Sequence, residues 1–143
     1  MSTRSRKHAQ IYSKHLKKSD KKICDFCAIG KDSVQYISET KSFKILNNIF
    51  PYSLWDGLTV EDHLLIVPKI HTDTLSDLSP EESKEFIKLI SKYELKGYNV
   101  YARAPGSIRK TVAHQHTHLI KTKGKVKKLV FTIYRPFYFR IPR

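Results

Sequence analysis

Short apolar segments alternate with polar breaks along most of the chain. Residues 34–37 and 42–46 read as two short strands separated by Glu39-Thr40-Lys41. Asn47-Asn48 and Pro51 break the second strand, and Trp55-Asp56-Gly57 marks a turn. Leu64-Leu65-Ile66-Val67 is a continuous apolar run that stops at Pro68, the pattern of a buried strand. The clearest helix starts after Ser79. Serine is a good N-cap, Pro80 suits the first helical position, and Glu81 and Glu82 favour the positive end of the helix dipole. Phe86, Ile87, Ile90 and Tyr93 recur near helical spacing, and Gly97 is the expected stop. Residues 99–102 and 112–120 read as two further strands, around a loop at Pro105-Gly106-Ser107. The order is three strands, one helix, two strands. It predicts an α+β fold: an antiparallel meander covered by a single helix.

The chain of 143 residues, 40% of them hydrophobic, fits one domain with a packed core. No apolar run reaches the roughly 18–20 residues of a membrane span, so no span is expected. The first fifteen residues are basic and polar without an apolar centre, unlike a secretory signal. Their lack of acids bears a faint likeness to an organelle transit peptide, but a cytoplasmic protein is the expectation.

Charge divides the chain into three parts. Of the formal net charge of +14, residues 1–22 carry +7, residues 121–143 carry +8, and residues 23–120 carry −1. A near-neutral domain with two basic extensions is expected. Residues 1–22 form a polar arm, helical around residues 11–16. In residues 121–143, Phe131, Tyr134, Phe137, Tyr138 and Phe139 interleave with Arg135 and Arg140. Basic arms of this kind either grip a polyanion such as nucleic acid or only keep the protein soluble. A membrane-surface role for the aromatic-basic stretch is a further reading.

Candidate chemistry gathers in two places. The first is His114-Gln115-His116-Thr117-His118. On a strand, alternate side chains share a face, so this spacing predicts three imidazoles in a row, with Gln115, Thr117 and Leu119 opposite. The plain alternatives are an accidental surface row and a simple metal site. The second is Cys24-Asp25-Phe26-Cys27. Without an export signal, a structural disulfide is the poorer reading, and metal ligation or a redox pair the better. Two buried, reduced cysteines remain the plain alternative.

These segments together resemble the histidine-triad (HIT) superfamily, whose signature alternates three histidines with apolar residues. The resemblance takes in the triad run through Leu119-Ile120 and Asn48-Ile49-Phe50-Pro51-Tyr52. It takes in the strand from His63 through Pro68-Lys69-Ile70-His71, the stretch from Leu75 to Glu82 entering the helix, and the opening C-x-F-C. Order and spacing match over residues 24–120, about two-thirds of the chain. Gln115 and Thr117 depart from the apolar signature, Asp62 stands where glycine is usual, and residues 53–62 make the loop around Trp55 longer. That loop either covers the nucleotide pocket or lies on the surface.

The resemblance implies a five-stranded antiparallel sheet with one main helix, and homodimers that join two sheets. It implies a nucleotide phosphohydrolase acting on nucleoside phosphoramidates or dinucleoside polyphosphates. His116 would be the nucleophile, forming a covalent nucleotidyl-histidine that water cleaves. His118 would hold a phosphate oxygen. Histidine rather than glutamine at position 118 accompanies transfer to water. In the C-x-x-C branch, the resemblance implies a structural zinc on Cys24, Cys27, His71 and His114; His63 is expected to pack or to make a surface hydrogen bond. Asn48 would meet the ribose. Where the family has amides and a glycine before the triad, this chain has Arg103, Arg109, Lys110 and Thr111. Arg103, Lys110 and Thr111 would therefore bind phosphate in a site more cationic than usual. The runner-up activity is a nucleic-acid 5′-adenylate hydrolase. A reading from another class is a zinc-stabilised nucleic-acid-binding protein with an inactive site.

Overall fold

The computed structural model describes Arg4, residues 6–18 and residues 24–124. The expectations placed on the aromatic-basic stretch from residue 125 onward, including its grip on nucleic acid, lie outside the described residues.

Helix α1 (Arg6–Lys18) and the short helix α2 (Asp25–Ala28) precede strands β1 (Tyr36–Glu39), β2 (Phe43–Asn47), β3 (Leu54–Trp55) and β4 (Leu58–Pro68). Helix α3 (Pro80–Glu94) follows, then β5 (Asn99–Ala102) and β6 (Thr117–Lys123). The sheet is antiparallel in the order β1-β2-β4-β6-β5, with β3 hairpinned onto β4. The α+β class and the single main helix are as expected. The sheet has six strands rather than five, because the long segment around Trp55 folds back as a two-residue strand. Its turn is Asp56-Gly57, both at positive φ (50° and 80°), the backbone that a tight primed hairpin turn requires.

Local signals account for α3. Ser79 Oγ accepts from the Glu82 amide, and the Glu82 carboxylate accepts from the Ser79 amide, so two otherwise orphaned donors are satisfied. Phe86 and Leu89 then pack on Phe43, Ile45, Leu64, Ile66 and Leu119, which share one face of the sheet. The apolar run in β4 is continuous because β4 is buried on both sides. Leu64 and Ile66 meet α3, whereas Leu65 and Val67 meet Phe26 and Leu46 on the opposite face. That second face carries the histidines. The Lys44 ammonium ties the 24–29 segment over it by donating to the carbonyls of Phe26 and Ile29, at 3.3 and 2.6 Å.

Candidate active site

The strand expected over residues 112–120 begins later and runs further, from Thr117 to Lys123. Only His118 of the three triad histidines lies within it. The preceding residues bend away because long-range bonds take their polar groups. The Gln115 amide donates to the Thr72 carbonyl at 2.6 Å. Lys110 donates to the Asp73 carbonyl at 2.6 Å and to Gln115 Oε1 at 3.1 Å, and its ammonium pairs with the Asp73 carboxylate. The three rings therefore do not form a row. His114 turns toward the cysteines, while the rings of His116 and His118 meet edge to face with centroids 5.1 Å apart.

Hydrogen bonds fix each ring's proton. His116 Nδ1 lies 2.7 Å from the carbonyl oxygen of His114, so Nδ1–H donates and Nε2 keeps its lone pair. Burial pushes the His116 pKa below its ordinary value and the bond to the carbonyl pushes it back up; Lys110 and Arg103 add to the lowering. The ring is thus held neutral at pH 7, with its basic nitrogen available.

His63 was the residue the sequence concealed. It is 2% exposed, and its Nε2 lies 2.9 Å from His118 Nδ1. The Tyr52 amide, which can only donate, points at His63 Nδ1 at 3.1 Å. The proton of His63 therefore sits on Nε2 and is donated to His118 Nδ1, which leaves the His118 proton on Nε2. Tyr52 and Tyr101 pack on the His118 ring, at 5.7 and 5.8 Å between centroids. Burial lowers the His63 pKa to about 4, with Arg4 adding to the shift, and lowers that of His118 further. The signal available in the sequence was parity: His63 shares the face of Leu65 and Val67, which is also the face of His118.

Two cavities of about 250 Å³ each open on His116 and His118. One is mainly apolar, walled by Phe26, Ile29, Leu65, Phe50 and Val112. The other is polar, walled by Arg4, Arg103, Arg109, Tyr52 and Thr111. Asn48 lines the first, but its side chain also accepts from the Phe50 amide at 3.0 Å and lies 3.1 Å from the His63 ring. Arg103 and Thr111 face the second. Lys110 does not: its side chain is 3% exposed and spent on Asp73 and Gln115, so it holds the loop shape rather than facing a ligand. Trp55 stands at the edge of this region against Tyr52 and Tyr101, at 6.0 and 5.1 Å.

Beside the triad, one ligand atom from each of Cys24, Cys27, His71 and His114 lies within 4.8 Å of the others. Nδ1 of His114 is 3.3 Å from Cys24 Sγ and 3.5 Å from Cys27 Sγ, and Nδ1 of His71 is 3.3 Å from Cys27 Sγ. Those spacings are what a small tetrahedral ion needs, with metal–sulfur bonds of roughly 2.3 Å and metal–nitrogen bonds of roughly 2.0 Å. The remaining nitrogen of His114 donates to the Pro68 carbonyl at 3.0 Å, the outer bond that orients a ligating imidazole. Phe26, between the two cysteines, packs on both His114 and His116, at 5.9 and 5.0 Å.

The sequence matches the HIT domain over residues 30–125. It is 32% identical to the adenosine 5′-monophosphoramidase HNT1 of Saccharomyces cerevisiae, covering 75% of this chain and 67% of that one. It is 34% identical to the protein of the same name in Candida albicans, covering 74% of each. A zinc-bound histidine triad family protein from Mycobacterium smegmatis has a similar fold, with a TM-score of 0.53 at 25% identity over 73% of this chain and 79% of that one. With its C-x-x-C pair beside the triad, this chain belongs to the HIT family.

Proposed function

We propose that this protein hydrolyses nucleoside phosphoramidates or dinucleoside polyphosphates at the nucleotide's α-phosphorus, through a covalent nucleotide on His116. One observation carries the reading: the bond from His116 Nδ1 to the His114 carbonyl leaves Nε2 unprotonated, on a ring that lines both cavities. The nucleoside lies in the apolar cavity, with Asn48 near the ribose. His116 Nε2 attacks phosphorus, a P–N bond forms, and the bond to the leaving group breaks. The His118 Nε2–H and the Thr111 hydroxyl hold phosphoryl oxygens as charge builds. Water then cleaves the P–N bond and frees the nucleotide. The two yeast relatives are named as phosphoramidases, which supports the substrate class.

Cys24, Cys27, His71 and His114 hold a structural zinc. Four protein ligands leave no open position for a substrate, so the ion's chemistry is to lock the 24–29 segment and the triad loop together. Thiolate ligands need a reducing compartment, and cytoplasmic residence fits. No helix among the described residues is long and apolar enough to cross a membrane. Dimerisation is supported by the outer edge of β5, unpaired among the described residues, and by exposed Val100 and Ile87 on the α3 side.

The test is AMP release from an adenosine phosphoramidate and from diadenosine tetraphosphate, by wild type and His116→Ala. Release by the wild type that vanishes in the variant supports the reading. No release of AMP by folded, metal-loaded wild type overturns it.

A further inference from the structure

The N-terminal arm, although it precedes the family domain, forms part of the reaction site. Arg4 Nε donates to the Phe50 carbonyl at 3.2 Å, and its guanidinium lies over the rings of Tyr12 and Tyr52, at 4.3 and 4.9 Å. Tyr12 of α1 hydrogen-bonds the Thr111 hydroxyl and packs on Phe50 at 5.1 Å, and His15 packs on the same ring at 4.8 Å. The arm thus spans from the Pro51-Tyr52 segment to the triad loop.

Its consequence is a concentration of positive charge around the polar cavity that His116 and His118 line. Tyr52 holds two guanidiniums at once: Arg4 over its ring, and Arg103, which donates to its hydroxyl at 3.2 Å. Arg109 completes the wall of the same polar cavity. Among the described residues, the ion pairs use lysines, and none of these three arginines pairs with a carboxylate. Like charges gathered without counter-ions repel one another, and an anion that joins them relieves the repulsion. Of the three arginines only Arg4 also lines the mainly apolar cavity, which suits a nucleoside, so the cavity that all three share is left to the group that departs.

We propose that Arg4, Arg103 and Arg109 form a subsite for a phosphate carried by the leaving group, with the N-terminal arm as its wall. The inference rests on the nucleotidyl-His116 reading and narrows its substrate. An amine leaving group needs a proton, which a guanidinium cannot give at any physiological pH. A phosphate leaving group needs its charge balanced, which three guanidiniums do well. In the step concerned, His116 Nε2 forms a bond to the α-phosphorus as the P–O bond to the next phosphate breaks. The electron pair departs on that bridging oxygen, beside the arginines, and no added proton is required. The preferred substrates therefore join a nucleotide to a second phosphate through a P–O–P link, whether that phosphate belongs to a free nucleotide or to the 5′ end of a nucleic-acid strand.

The test compares kcat/KM for diadenosine tetraphosphate, a 5′-adenylated DNA oligonucleotide and an adenosine phosphoramidate, using the full-length, metal-loaded protein. Wild type is expected to favour at least one phosphate-leaving substrate over the phosphoramidate by tenfold or more. Which of the two it favours identifies the source of the phosphate. In Arg4→Gln and Arg109→Gln that preference is expected to fall at least tenfold. An unchanged preference in both variants, or a wild type that favours the phosphoramidate, overturns the subsite. A binding arm separates this from failure of the hydrolase reading. ATP is expected to bind the His116→Ala protein at least tenfold more tightly than AMP, and Arg4→Gln in that background is expected to erase the difference. Equal binding of ATP and AMP by His116→Ala overturns the subsite even if turnover is seen, whereas the expected binding pattern without any turnover by wild type fails the hydrolase reading alone.

Discussion

His116 and His114 are joined by a bond from ring to backbone: Nδ1–H of the former donates to the carbonyl of the latter across 2.7 Å. The same residue whose carbonyl selects the tautomer of His116 turns its own ring toward Cys24 and Cys27. Replacing His116 by alanine is expected to lower kcat for AMP release by about a thousandfold or more, since a lost nucleophile removes the covalent route. Circular dichroism of the variant should match wild type. Residual activity within tenfold of wild type would sink the role assigned to this ring.

His63 acts at one remove. It positions His118 through a 2.9 Å bond and sets which nitrogen of His118 carries the proton. His63→Ala is expected to reduce kcat roughly 10- to 100-fold, the usual range for an orienting partner, with KM changed much less. Steady-state kinetics decide it. A fall confined to KM would point instead to substrate binding.

Stability should depend on acid in a defined window. The His63 pKa is lowered by burial, from 6.5 in the unfolded chain to about 4 in the folded one. Below pH 6.5 the unfolded state binds the proton and the folded state does not, so stability is complete above pH 6.5 and drains as pH falls toward 4. At roughly 1.4 kcal/mol per pH unit, this one residue contributes about 3 kcal/mol across the window. His118, lowered further by the same cause, acts in the same direction. Urea melts from pH 7.5 to 4 should show the decline, and His63→Gln should flatten part of it. A midpoint independent of pH across that range would contradict the burial argument.

Metal analysis by mass spectrometry is expected to find one zinc per chain. Cys27→Ser or a strong chelator should remove it and lower Tm by roughly 10 °C or more. Activity should fall as well, because Phe26 packs on both the His114 ring and the His116 ring. Retention of zinc by Cys27→Ser together with an unchanged Tm would rule out the four-residue site.

Lys110→Met tests the division of labour among the cations. The buried ammonium braces the triad loop on Asp73 and Gln115, so its loss is expected to cost roughly 1–3 kcal/mol of stability, the range for leaving polar partners unsatisfied. KM should respond more to Arg103→Ala than to Lys110→Met. The reverse order would return Lys110 to the substrate.

What could be read from the sequence followed the range of the interactions. Helix α3 was legible because its capping box spans four residues, and β4 because burial on both faces leaves an unbroken apolar run. The four candidate metal-site residues come together only through resemblance, since nothing local ties Cys24 to a histidine 90 residues away. The late start of β6 is invisible in the sequence because the bend before it is set by bonds to Thr72 and Asp73, far off in the chain. Nothing near His63 in the sequence marks it for more than packing or a surface hydrogen bond, because its partner lies 55 residues on, across the sheet. The arm gave a helical, basic signature but no hint that Arg4 would reach Tyr52.

The place of Arg4 also bears on how the protein should be handled in the laboratory. An affinity tag fused ahead of Met1 would lie three residues from a guanidinium that walls the reaction cavity. A polyhistidine tag there would bring extra imidazoles to a site built from them, and could offer competing ligands for zinc. Preparations meant for kinetics or metal counting therefore need a tag removed without residue, or one placed at the other end of the chain.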